Sequence, residues 1–216
     1  MPEIKHIWFD FDGTLTIETP AYKQAHDEFA AGLFAELMGI NDLDEALSLY
    51  LSHRKREGLN TKVFENVAGM NQDFWATKLR EWDSSEQYDA EEHTGIAAML
   101  GILAASMPVS IYTNTSLGRL QVIAQRLSYP LDVFEHIVPG DAVPEMKPSV
   151  RAYEYIIDLS GVAAGENMYV GDRVSGDIIP AKAAGMQTVL VGTQSDEADW
   201  SIEGVTDLPE LLQQIS

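Results

Sequence analysis

The chain reads as an α/β protein, a doubly wound parallel sheet interrupted by an all-helical insertion. Three observations predict this. Residues 109–215 alternate β-rich runs with helix-periodic segments, the pattern of parallel strands joined by helices that cover both faces of a sheet. Near the N-terminus an apolar run, Ile7-Trp8-Phe9, passes straight into Asp10-Phe11-Asp12-Gly13, as a buried strand entering a turn. Between these regions, residues 18 to about 92 are rich in helix formers and contain no convincing strand.

The elements follow in order. The insertion carries three helical patterns. In PAYKQAHDEFAAGLFAELMG, Tyr22, Ala25, Phe29, Leu33 and Leu37 recur on one face, as a helix buried along one side requires. NDLDEALSLYLSHRKREG and NQDFWATKLREW read as two further helices. After the insertion, GIAAMLGILAASMPVSIYT is broken by Gly101, Ser106 and Pro108 and reads as a helix followed by a strand. VSIYTN (109–114) is that strand, and LGRLQVIAQRL (117–127) is the next helix, with Leu117, Leu120, Ile123, Ala124 and Leu127 on one side. VFEHIV (133–138) reads as a strand and SVRAYEYIIDLS (149–160) as a helix with Ser149 as N-cap. NMYVG (167–171) is a strand ending in glycine. SGDIIPAKAAGM (175–186) reads as a helix with Pro180 in its first turns and Gly185 as its stop signal. QTVLVG (187–192) is a strand, and DLPELLQQI (207–215) is a closing helix.

Composition narrows the function classes. With 216 residues, 45% of them hydrophobic, the chain can bury a sizeable core in one or two domains. Mean hydropathy is −0.11, and no window approaches the roughly 18 apolar residues of a membrane span. The N-terminal MPEIKHIWFD has no charged leader followed by a cleavable apolar region, so a cytoplasmic location is expected. The absence of cysteine excludes disulfides, thiolate metal sites and cysteine nucleophiles. Net charge is −20, from 14 Lys and Arg against 34 Asp and Glu. Such a surface disfavours nucleic acid and anionic membranes as partners, because binding phosphates takes clustered positive charge. The general reading of the charge is solubility. Any anionic substrate must therefore find a local positive field.

In open α/β sheets the ligand crevice lies beyond the carboxyl ends of the strands. The first strand ends in Asp10-Phe11-Asp12-Gly13-Thr14, the second in Thr113-Asn114, and the strand at 167–171 runs into Asp172, with Asp177 close behind. Lys147 lies in the loop before the helix at 149. Carboxylates, a hydroxyl and an ammonium would then converge on one rim. Several carboxylates crowded together at neutral pH call for a cation. An all-oxygen donor set points to a hard one such as Mg²⁺. With Lys147, that cation would give an anionic substrate its positive field. One carboxylate of the Asp10/Asp12 pair can attack while the other handles protons, splitting phosphoryl transfer into two steps through an aspartyl-phosphate. Each piece alone has an ordinary reading: a solvated turn for the two aspartates, a plain strand residue for Thr113, an exposed loop lysine for Lys147, and a helix cap for Asp177. The specificity lies in the order and placement of all four at strand ends.

Together these motifs resemble the haloacid dehalogenase-like hydrolase superfamily, over about two-thirds of the chain. DFDGTLT resembles its first motif, implying Asp10 as nucleophile and Asp12 as general acid and base. SIYTNT resembles the second, implying that Thr113 binds the transferring phosphoryl group, with Asn114 beside it in the substrate site. EMKPS resembles the third, with Lys147 neutralising nucleophile and phosphate. YVGDRVSGD resembles the fourth, with Asp172 as Mg²⁺ ligand and Asp177 as a ligand or supporting acid. The resemblance further implies metal ligation by Asp10 and by the main-chain carbonyl of Asp12. It implies a Rossmann-like core of residues 1–17 and 93–216, with residues 18–92 as a helical cap that closes over the site. The interval between Asn114 and Lys147 leaves no room for the family's larger α/β cap.

The implied activity is Mg²⁺-dependent hydrolysis of a small phosphorylated metabolite: a nucleotide, a sugar phosphate or phosphoglycolate. The dehalogenases of this superfamily lack the second aspartate, so Asp12 favours phosphate esters over carbon–halogen bonds. A sugar phosphomutase would use the same core. A phosphonatase would want a cap lysine, for which Lys23, Lys55 and Lys62 are available without a motif to select one. A non-catalytic phospho-acceptor of the receiver type shares the Asp, Thr, Lys and Mg²⁺ set, but is shorter and uncapped. Monomer or homodimer is expected. Within the insertion, SHRKREG (His53–Arg56 at its centre) could grip an anionic leaving group or simply offset a helix dipole before Gly58; the second reading is the more economical. Tyr22 and His26 could line an entrance, with packing an equal explanation for Tyr22. Trp75 and Trp82 sit seven apart on one helix face, as core packing requires. Arg173 is expected to pair with Asp177 or a neighbouring acid.

Overall fold

The structure, a computed structural model, describes residues 2–16, 19–71, 73–82, 94–140, 142–143 and 145–215. The chain divides into two compact units: Met1–Ile17 with Ala90–Ser216, and Glu18–Asp89. The predicted limits of the insertion, at residues 17/18 and 92/93, lie outside the described residues.

In the first unit, six parallel strands form one sheet among the described residues: β1 (His6–Phe9), β2 (Val109–Tyr112), β3 (Ile137–Val138), β4 (Asn167–Gly171), β5 (Gln187–Val191) and β6 (Trp200–Ile202). Their spatial order is β3-β2-β1-β4-β5-β6. The chain starts in the middle, winds outwards through β2 and β3, and then returns across β1 to β4. Right-handed crossovers in opposite directions put the connecting helices on opposite faces. The point where the winding reverses, between β1 and its two neighbours β2 and β4, is the crevice at which such sheets bind ligands. Trp8, Tyr112, Val138 and Tyr169, one each from β1, β2, β3 and β4, pack with Ala152, Tyr153 and Ile156 into a single core. Strands β1, β2 and β4 are buried along their whole length, as strands covered on both faces must be.

The helices of this unit are α5 (Thr94–Ala104), α6 (Leu117–Arg126), α7 (Val150–Ser160), α8 (Ile179–Ala183) and α9 (Leu208–Ile215). Two sequence expectations change here, and one strand is new. The strand read at 133–138 is regular only over Ile137–Val138, because Leu131–Val133 closes a 3₁₀ turn after Pro130. Pairing still begins earlier, since Glu135 N–H donates to the Val109 carbonyl at 2.8 Å. The helix read at 175–186 opens instead with a π turn, Val174–Ile178, before the α-helical residues of α8. Pro180 is the second residue of α8, and Gly185 ends the segment at φ +90°. Strand β6 has only three residues, too few to show a pattern, and pairs in parallel with β5.

The second unit holds α1 (Pro20–Met38), α2 (Leu43–Glu57), α3 (Asn60–Asn66) and α4 (Phe74–Glu81). Thr19 caps α1 by accepting from Tyr22 N–H at 3.1 Å, and Asp42 caps α2 by accepting from Asp44 and Glu45. The short α3 escapes a period-based reading. Ala30, Ala31, Phe34, Tyr50, Val63, Phe64 and Trp75 form this unit's own core. The buried face of α1 therefore runs through Phe34 rather than Leu37, which is exposed. Trp82 stacks on Phe29 with ring centroids 4.9 Å apart, and Trp75 stacks on Phe64 at 5.3 Å. Both tryptophans thus serve packing. In the basic cluster, Arg54 pairs with Asp27 of α1 at 2.6 Å and Arg56 with Glu57 at 3.2 Å. Among the described residues, no helix is long and apolar enough to cross a membrane.

Candidate active site

The carboxyl ends of β1, β2 and β4 bring the predicted residues together. Asp10 follows β1 directly, and its N–H continues the ladder by donating to the Val170 carbonyl at 2.9 Å. Its Oδ1 accepts from Phe11 N–H at 2.7 Å. The Lys147 ammonium lies 2.8 Å from Asp10 Oδ1 and 2.8 Å from Asp177 Oδ1. Its third partner is the Tyr169 hydroxyl at 3.1 Å, which itself donates to the Tyr112 carbonyl at 2.9 Å. An ammonium has three donors, and here three acceptors meet them. The Tyr112 and Tyr169 rings flank the same ammonium, with centroids 5.7 and 5.6 Å away.

The π turn explains Asp177. It turns this side chain inward beneath β4, where it is 1% exposed. Oδ1 meets Lys147, and Oδ2 accepts from Arg173 N–H at 3.0 Å. Such turns recur at functional sites because they re-aim one side chain without ending the helix. The Arg173 side chain itself lies 3.8 Å from Asp172, a neighbouring acid, as expected.

Carboxylate oxygens of Asp10, Asp172 and Asp177 lie within 4.8 Å of one another. All the donors are hard oxygens, a set that suits a hard divalent cation. Asp177 already spends one oxygen on Lys147 and the other on a main-chain N–H, so Asp10 and Asp172 are the members that would face a cation directly. Gly13 supports this geometry. A Cβ on it would sit 2.5 Å from Asp172 Oδ2, and its φ is +84°. Only glycine lets the Asp172 carboxylate come this close to the turn after Asp12.

The electrostatics follow from burial. Burial pushes Asp10 up to about 7, against Lys147, which pulls it down, and with the charges of Asp177 and Asp172, which push it further up. Burial alone would lower Lys147, but Asp10 and Asp177 outweigh it and hold the ammonium above its ordinary value. Lys147 is therefore an ammonium at neutral pH.

Asp12 is not one of the three carboxylates of that group. Its Oδ2 accepts from the Thr115 hydroxyl, and Thr115 N–H donates to Thr113 Oγ1 at 3.2 Å. Thr113 is 1% exposed, at the end of β2. Asn114, expected beside the phosphoryl group, has its carboxamide engaged with the main chain of Lys147 on both sides, at 3.0 Å each. Sequence reasoning missed Thr115 and Tyr169. Thr115 carried a local signal, repeating Thr113 two residues on; Tyr169 carried none, because its place follows from its register against Trp8 in the sheet.

The family model for haloacid dehalogenase-like hydrolases matches residues 7–191. The chain is a haloacid dehalogenase-like hydrolase. Among curated relatives of this hydrolase, phosphoglycolate phosphatase of Chromobacterium violaceum is 27% identical, over 99% of this chain and 98% of that protein. Phosphoglycolate phosphatase of Pseudomonas syringae pv. tomato is 39% identical, over 87% of this chain and 69% of that protein. Among solved structures, a phosphatase of the same family from Thermococcus onnurineus superposes with a TM-score of 0.67 at 23% identity, covering 97% of this chain and 98% of that one.

Proposed function

We propose that this hydrolase is a Mg²⁺-dependent phosphomonoesterase of small phosphorylated metabolites, and that phosphoglycolate is the first substrate to test. One observation carries the chemistry: the two aspartates of the β1 turn have separate surroundings. Asp10 touches Lys147 inside the buried cluster, while Asp12 is tied to Thr115. Two carboxyl groups in different environments can perform different tasks. The names of the two curated relatives support phosphoglycolate.

In this reading an Asp10 carboxylate oxygen attacks phosphorus in line. The ester P–O bond breaks, and Asp12 gives its proton to the departing alkoxide. The Thr113 hydroxyl donates to a phosphoryl oxygen, and Lys147 offsets the charge that Asp10 and the phosphoryl group bring together. Asp12, now ionised, takes a proton from water as that water attacks phosphorus. The bond from phosphorus to Asp10 breaks, orthophosphate leaves, and Asp10 is restored. Mg²⁺, held by Asp10, Asp172 and the main-chain carbonyl of Asp12, would supply the positive charge that draws nucleophile and phosphate together. Asp177 holds Lys147 in place. Residues 18–92 would act as the helical cap that excludes water during the first step.

The test is orthophosphate release from phosphoglycolate, a sugar phosphate, a nucleotide and an aryl phosphate, with Mg²⁺ and with chelator, beside Asp10→Asn. Release that requires Mg²⁺ and disappears in the variant is expected. Activity retained by Asp10→Asn would overturn the nucleophile assignment. Absence of release from every ester, with the protein folded, would overturn the phosphatase reading.

A further inference from the structure

We propose that Asn114 is a positioning residue for Lys147 rather than a ligand of the substrate; its kinetic consequence rests on the phosphomonoesterase reading, while its structural content does not. Lys147 sits in an irregular segment between β3 and α7, where no strand pairing fixes its main chain. Asn114 takes over that task. Its Nδ2 donates to the Lys147 carbonyl at 3.0 Å, and its Oδ1 accepts from Lys147 N–H at 3.0 Å, across 33 residues of chain. One hydrogen bond would let the peptide swing. Two bonds on opposite sides of one residue fix both its place and its orientation, as a rung of sheet does.

The clamp is itself anchored. Thr113 N–H donates to the Val138 carbonyl at 3.1 Å, and Gly140 N–H to the Thr115 carbonyl at 3.1 Å, so the residues on either side of Asn114 are tied to the exit of β3. The two segments pass so closely that a Cβ on Gly140 would lie 2.4 Å from the Asn114 carbonyl oxygen. From this fixed point the Lys147 side chain runs inward to Asp10, Asp177 and Tyr169, with 6% of it exposed. Rigid strand ends thus set the main chain of Lys147, and three acceptors set its ammonium. A displacement of about 1 Å at a reacting centre can cost about 100-fold in rate. The two carboxamide bonds are what prevent it here.

The experiment uses four full-length proteins: wild type, Asn114→Ala, Lys147→Ala and the double variant. The first readout is independent of activity. Lysines are acetylated with acetic anhydride and mapped by mass spectrometry, with Lys182, 44% exposed, as internal reference. Lys147 should be protected in wild type and labelled several-fold faster in Asn114→Ala, with Lys182 unchanged. The second readout is kcat and KM for phosphoglycolate. Asn114→Ala should lower kcat by about 10- to 100-fold, and the loss should vanish in the Lys147→Ala background, because both changes remove one function. Unchanged labelling of Lys147, or a loss that recurs in full in the Lys147→Ala background, would overturn the proposal in favour of direct substrate contact. Should Asn114→Ala fail to fold, Asn114→Asp takes its place: it keeps the acceptor for Lys147 N–H and loses the donor. Should wild type release no phosphate, the phosphatase reading falls and the labelling still decides the clamp.

Discussion

At the scale of single residues, the site concentrates charge that water would otherwise solvate. Asp10 shows the cost. Its ordinary value is 3.8, and in the fold burial raises it to about 7. The folded protein thus holds that proton more tightly than the unfolded chain does, so the contribution of Asp10 to stability falls as pH rises from about 4 to 7 and stays reduced above. Asp10→Asn removes the ionisation and leaves an oxygen for Lys147. In chelator at pH 8 this variant should melt no lower than wild type, with an advantage that shrinks as pH falls towards 4, and with Mg²⁺ it should lose at least about 10³-fold in kcat. A clear drop in melting temperature at pH 8 would contradict the cost assigned to Asp10. Thr115 offers a second prediction. Its hydroxyl is Asp12's partner across 103 residues, and leaving a part-buried polar group without its partner costs about 1–3 kcal/mol. Thr115→Val keeps the shape and removes the donor. It should slow turnover by about 10-fold or more. Equal rates for the variant and wild type would remove Thr115 from the acid/base apparatus.

At the scale of elements, β1 shows how one strand serves two ends of the sheet. Its carboxyl end delivers Asp10. Its first residue, His6, is 1% exposed, accepts or donates a bond with the Ser110 hydroxyl at 2.9 Å, and stacks on Trp8 at 5.0 Å. Burial pulls His6 down to about 4, partly opposed by Glu135 and assisted by His136. The unfolded chain therefore takes up the proton first. The His6 contribution to stability is fully present above about 6.5 and is lost as pH falls from there to about 4, by up to roughly 3 kcal/mol. Asp10 acts in the opposite sense over the same range, so the readout is the difference between wild type and His6→Gln: urea midpoints at pH 7.5, 5.5 and 4.2 should show wild type losing ground to the variant as pH falls. A difference that stays constant with pH would move the cause elsewhere. The π turn before α8 is the other decisive element. Within it, Asp177 meets both Lys147 and Arg173 N–H.

At the scale of the whole molecule, the fold seats the Lys147 ammonium among Asp10, Asp172 and Asp177 inside a chain of net charge −20. Long-range self-repulsion disfavours an anionic substrate, so in the proposed reading the positive field near Asp10 comes from Lys147 and the cation. A cation that binds only the folded state stabilises it by about 2.7 kcal/mol at 100 times its dissociation constant. For a chain of this size that is a rise of about 5–10 °C in melting temperature. Saturating Mg²⁺ should produce such a rise over chelator, and Asp172→Asn should abolish it. A full rise in Asp172→Asn would place the cation away from the Asp10 and Asp172 carboxylates. The two units each carry their own core, so the inserted helices can vary without disturbing the sheet that positions the chemistry.

Much of this was legible in sequence. Apolar period placed β1, β2, β4 and β5 and most helices, and the residues that end those strands, Asp10, Asp12, Thr113 and Asp172, fall on the rim where parallel sheets bind ligands. That inference needs only local pattern and the rule for crossover connections. Local pattern could not say which groups would meet. The Asn114 clamp on Lys147, the Thr115 bond to Asp12 and the seat of Lys147 on Tyr169 span 33, 103 and 22 residues. Each depends on strand register and on the packing of a whole crossover. The π turn at Val174–Ile178 and the three-residue β6 were invisible for a related reason: neither carries enough residues to establish a period. Sequence determined the chemical groups and the edge of the sheet where they gather. Tertiary structure alone decided their pairing, because a hydrogen bond fixed within a few tenths of an ångström is set by every element between its two ends.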